Sequence, residues 1–131
     1  MIEQILAGDV PLAYIIRNTP LPTRTTFYTP PEFQAQVGRI VYSAGQEIPR
    51  HVHLPVERHI VGTSEVLLVQ QGRCTLDVYT SDRELVRSTV LDTGDVLVTV
   101  GGGHGFRAIE DLVLLEVKQG PYPGVAEKER F

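Results

Sequence analysis

The chain has one cysteine, Cys74, only two lysines, and no apolar run approaching the roughly 20 residues that a membrane-spanning helix requires. A single cysteine cannot close an intramolecular disulfide, so any metal site must rely on imidazole and carboxylate ligands. With few lysines, scattered arginines and a formal net charge of -4, the chain lacks the clustered basic surface that phosphate neutralisation demands, and nucleic acid is excluded as an expected partner. No membrane association is expected. The start of the sequence shows neither the basic region nor the long apolar region of a signal peptide, which points to a cytoplasmic location. No segment repeats apolar residues at a helical period over ten or more positions, which argues against a helical fold.

What the chain does have is a strand rhythm. Short runs rich in Val, Leu, Ile, Tyr and Thr alternate with turn residues, predicting strands near Ala13–Arg17, Val37–Ser43, Ile48–His53, Glu65–Gln70, Cys74–Thr80, Glu84–Leu91, Val96–Val100, Gly105–Ile109 and Leu112–Lys118. Hairpin turns fall at Gln71-Gly72, Ser81-Asp82 and Asp92-Thr93-Gly94. At 131 residues and 42% hydrophobic content the expectation is one all-β domain over residues 1–131, an antiparallel β-barrel or jelly roll. Its core would span about 37–118, after an N-terminal strap over 1–36 and before a C-terminal tail over 119–131. Alternation predicts that Leu67, Val69, Cys74, Leu76 and Val78 point inward and that Cys74 is a packing residue.

Three of the four histidines form a pattern. In a strand, residues i and i+2 share a face, so His51 and His53 could aim both rings at one point, half of a metal site. A carboxylate from the next strand and the imidazole of His104 would complete a mixed N/O shell suited to a divalent transition metal. The bland alternative for two alternating histidines is a solvated or hydrogen-bonded surface pair.

Gly45 followed by His51-Val52-His53, then Glu65 and Gly72, resembles the first motif of the cupin superfamily, with Thr63–Gly72 close to the germin-like form. Gly94–His104 resembles the second motif. The resemblance covers roughly Val37–Lys118. It implies a small barrel with a metal ion, Mn, Fe, Ni or Zn, held by His51, His53, Glu65 and His104. The segment Leu54–Ser64 is an insertion relative to the family. Glu57 therefore has the family's spacing from His53, whereas Glu65 has the family's spacing to Gly72 and sits in the matching strand. Register favours Glu65, because strand parity sets ligand direction while turns tolerate insertions.

The expected function is a metal-dependent enzyme acting on a small organic molecule by oxygenase or by isomerase or lyase chemistry. The alternative is a non-catalytic protein that uses its metal to bind a carbohydrate or carboxylate. The insertion, with Glu57, Arg58 and His59, reads as a mobile lid that could supply an acid, a base or an anion anchor. A homodimer is expected, with Leu12–Arg17 pairing across subunits and Val66 and Leu68 offering an apolar patch.

Overall fold

A computed structural model of the protein describes residues 2–131, apart from the side chains of Val125 and Ala126. The chain forms two compact units: the segment up to Pro20 together with Thr63–Phe131, and Leu21–Gly62.

The first unit is all antiparallel strand. Its larger sheet contains β1 (Ile2–Ala7), β2 (Val10–Ile16), β5 (Glu65–Gln71), β8 (Val96–Thr99) and β10 (Val113–Lys118), in the order β1-β2-β8-β5-β10. The smaller sheet contains β6 (Cys74–Tyr79), β7 (Leu85–Leu91) and β9 (Gly103–Ala108), in the order β7-β6-β9. Ile5, Leu12, Ile15, Leu67, Val69 and Leu97 of the first sheet form one buried cluster with Cys74, Leu76, Val78 and Leu91 of the second. The unit is thus two sheets packed on a shared core, as their one-sided alternation requires. Leu67, Val69, Cys74, Leu76 and Val78 all face inward as the alternation predicts. Burial pushes the Cys74 thiol pKa upward, the behaviour of a core residue rather than a nucleophile.

Two expectations are corrected here. The sheets do not close into a barrel: β7 and β9 are free edges of one sheet, and β1 and β10 of the other. The N-terminal region supplies two strands, and β2 bonds β1 on one side and β8 on the other. Leu12–Ile16 is buried and offers no edge for a partner strand.

A buried carboxylate fastens the sheets at one end. Asp95, at the turn before β8, accepts hydrogen bonds from the backbone N–H groups of Asn18 (2.8 Å) and Asp92 (2.9 Å) and from the Arg17 guanidinium (2.9 Å). Arg17 also donates to the Val90 carbonyl at 2.8 Å and to Glu3 at 2.5 Å, tying β1, the end of β2 and β7 to that turn.

The second unit contains one short antiparallel pair, β3 (Thr26–Phe27) and β4 (Gly38–Arg39). The strand expected over Val37–Ser43 contracts to Gly38–Arg39, and none forms over Ile48–His53. Proline explains part of this: Pro49 and Pro55 have no N–H to give a ladder, and each biases the residue before it. No α-helix occurs among the described residues, which include a 3-10 turn at Gly124–Glu127 and no helix long and apolar enough to cross a membrane.

Candidate functional site

Within the first unit, a cavity of about 840 Å³ opens at one end of the two sheets. Glu65 reaches it from the start of β5, where its backbone N–H donates to Thr99 Oγ1 at 3.2 Å. His104 reaches it from β9, paired across the smaller sheet with Val78. The two side chains meet: His104 Nε2 lies 3.1 Å from Glu65 Oε2. One comes from each sheet, so packing of the core sets their separation.

The hydrogen bond from His104 holds the Glu65 carboxyl below its usual range, against burial, which pushes it up; Glu116 and Lys128 act in the same direction as His104. Phe106, two positions beyond His104 on β9, packs edge-on to the imidazole with ring centroids 5.6 Å apart. The glycines ahead of His104 do what their type suggests. Gly102 has φ of 64°, and a Cβ there would lie 2.1 Å from the Tyr79 carbonyl oxygen, so the chain can turn into β9 only without a side chain.

The C-terminal residues also line the cavity. Lys118 pairs with Glu127 at 3.1 Å, Arg83 pairs with Glu129, and the Phe131 ring packs edge-on to Tyr79 with centroids 5.1 Å apart. Arg83 lies 5.3 Å from the Phe131 ring centroid. Glu116, Tyr79, Arg83 and this tail are absent from the sequence-based site. Glu116 carries a signal that could have found it, a carboxylate inside the apolar run Val113–Val117, in the strand bonded to β5. The tail carries none, since Glu-Lys-Glu-Arg reads as solvated surface.

The remaining candidates belong to the second unit. His51 and His53 are exposed and lie outside any strand, so strand parity does not set their direction. They are nonetheless neighbours, with ring centroids 5.3 Å apart at 71°. His51 Nδ1 is 2.8 Å from the Pro49 carbonyl oxygen. A carbonyl accepting from Nδ1–H leaves Nε2 as the ring's lone-pair nitrogen, the arrangement that prepares an imidazole to ligate. Glu57, Arg58 and His59 are exposed and irregular. The sequence-predicted ligands are therefore joined as two pairs, Glu65 with His104 and His51 with His53. Among the described residues no set of three or more His, Cys, Asp or Glu side chains is gathered for a metal.

Compared with known proteins, the chain matches no family model, no curated protein and no solved structure.

Proposed function

We propose that the protein is a metal-dependent enzyme of the cupin type, with a jelly-roll relationship between its sheets, acting on a small organic molecule in the Glu65–His104 cavity. The observation that supports this most is the meeting of Glu65 and His104 at 3.1 Å, one from each sheet, in a cavity of about 840 Å³. A cavity of that size falls in the range of small-molecule sites.

The donor chemistry at the cavity, a carboxylate held below its usual range beside an imidazole, suits a divalent ion such as Mn, Fe, Ni or Zn. Glu65 and His104 would contribute to holding it, and when bound such an ion would supply a Lewis acid or a dioxygen site for oxygenase, isomerase or lyase chemistry. Glu65 Oε2 accepts a hydrogen bond from His104 Nε2–H, and the pair can exchange a proton with a substrate group placed against it. Thr99 fixes the backbone from which Glu65 projects, and Phe106 covers one side of the imidazole.

A second reading is a non-catalytic carboxylate-binding protein, favoured by Arg83 at the cavity, whose guanidinium already takes a carboxylate, that of Glu129. Equilibration with each metal, followed by native mass spectrometry, tests the proposal. Retention of about one ion per chain supports it, and a metal-free protein overturns it; turnover of a co-purified small molecule separates enzyme from binder.

A further inference from the structure

The cavity also carries, next to His104, a side-chain arrangement that the proton chemistry does not use. Tyr79 ends β6, Arg83 sits in the turn between β6 and β7, and Gly103 begins β9. Arg83 alone among the described non-glycine residues has a positive φ, 70°. That backbone conformation is costly for arginine, and here it belongs to a residue that lines the cavity. The turn is held closed by hydrogen bonds from the Arg83 N–H to the Thr80 carbonyl at 2.9 Å and from the Thr80 N–H to the Glu84 carbonyl at 2.8 Å.

Two groups of the C-terminal tail occupy this arrangement. The Phe131 ring meets the Tyr79 edge and the Arg83 guanidinium, and it lies so close to Gly103 that a Cβ there would come within 3.1 Å of it. The Glu129 carboxylate pairs with the same Arg83. One guanidinium thus takes an aromatic face and a carboxylate together, the combination that arginine's planar, delocalised charge suits.

The occupants are held loosely. Phe131 is 61% exposed, and the Arg83–Glu129 pair has side chains 49% and 82% exposed. Exposed pairs of this kind contribute little to stability. The firmer anchor lies before them, at Glu127 and Lys118, with the Glu127 side chain only 7% exposed. Beyond that anchor the tail meets Tyr79 and Arg83 through the exposed side chains of Phe131 and Glu129.

We infer that Tyr79, Arg83 and Gly103 form an aryl-carboxylate subsite which the chain's own Phe131 and Glu129 fill as a tethered competitor. The inference rests on the reading of the Glu65–His104 cavity as a ligand site, and it names the substrate class: a small molecule with an aromatic ring and an anionic carboxylate, its ring against Tyr79 and Gly103. The tethered groups act at high effective concentration, so removing them raises the apparent affinity for a free ligand without adding any contact.

The test uses the full chain, metal-free, with 3-phenylpropanoate as the probe and calorimetric titration as the readout. The double variant Phe131→Ala, Glu129→Gln changes only exposed side chains and should bind the probe about tenfold more tightly than wild type. Adding Arg83→Ala should remove that gain, and neither hexanoate, which lacks the ring, nor 2-phenylethylammonium, which lacks the anion, should show it. Equal, weaker or undetectable binding by the double variant relative to wild type overturns the inference, as does a gain that survives Arg83→Ala. Because no metal or turnover is read, a chain that holds an ion but fails this test loses only the subsite. A chain that passes it but holds no ion loses only the metal.

Discussion

Glu65 and His104 are contributed by different sheets, yet their side chains meet at 3.1 Å because the sheets that carry them share one core. Their separation is set by the packing of Leu67 and Val69 against Leu76 and Val78, the residues next in alternation along the same strands or directly across from them. A substitution in that core should therefore act on the site as well as on stability. Val78→Ala, directly paired with His104, is expected to cost about 2 kcal/mol in urea unfolding by loss of buried volume. It should also weaken the hydrogen bond that holds Glu65 low, read as an upward shift of the Glu65 carboxyl titration by NMR.

The carboxylate of Asp95 has three donors and almost no solvent contact. Asp95→Ala leaves those donors unpaired, and we expect a loss of about 3 kcal/mol in urea unfolding. Arg73→Ala, which breaks only the exposed pair with Asp92, should leave the unfolding midpoint close to that of wild type. Comparable effects for the two variants would contradict the picture of a buried fastening at this turn.

Glycine is required at two turns for a steric reason. A Cβ on Gly72 would lie 2.1 Å from the Asp111 carbonyl oxygen, with φ at 82°, and Gly102 meets the Tyr79 carbonyl oxygen equally closely. Alanine at either position should destabilise the protein by about 2 kcal/mol or more. Gly8→Ala is the control: its φ is 62° but nothing stands within 4 Å of the added Cβ. Its cost should be the smaller, about 1 kcal/mol.

Acid should loosen the fold through Glu3. Its pKa lies below the usual 4.5, first because Arg17 donates to it, against burial, and then because Arg87 adds a second hydrogen bond. A depressed folded-state value means that the unfolded chain takes up the proton more readily. The stabilisation is complete above about pH 4.5 and is lost as pH falls through the lower folded value. Glu3→Gln should accordingly flatten the decline of stability below pH 4.5, and an unchanged slope in that window would count against this assignment.

The outer face of the larger sheet should carry self-association, since β2 has no free edge. Leu115 and Val117 on β10 are 48% and 60% exposed, in register beside Leu68 and Val66 of β5. We expect a homodimer by sedimentation at tens of micromolar, an order-of-magnitude working range, and a monomer for Leu115→Glu. A monomeric wild type removes the claim.

Much of the first unit is legible in the sequence because each strand buries alternate residues: Glu65, Leu67 and Val69 in β5, and Cys74, Leu76 and Val78 in β6. β1 is not, because Ile2–Ala7 mixes polar and apolar residues without strict alternation, although Gly8-Asp9 is a hairpin signal that could have found it. His51 and His53 show the opposite failure. Their spacing is right for one face of a strand, but direction along a strand exists only once a ladder does, and their segment has none. The tail over the cavity is illegible for a different reason: its contacts are between a few exposed side chains and residues distant in sequence, which no local pattern encodes.

Metal content after substitution of each candidate carboxylate tests the central claim most directly. Wild type, Glu65→Gln and Glu57→Gln are equilibrated in parallel with Mn, Fe, Ni and Zn, passed through a desalting column and assayed by elemental analysis. The Glu65–His104 cavity as the metal-bearing site predicts about one ion per chain in wild type and in Glu57→Gln, and loss of the ion in Glu65→Gln. An ion lost from Glu57→Gln but kept by Glu65→Gln, or absent from wild type, would contradict it.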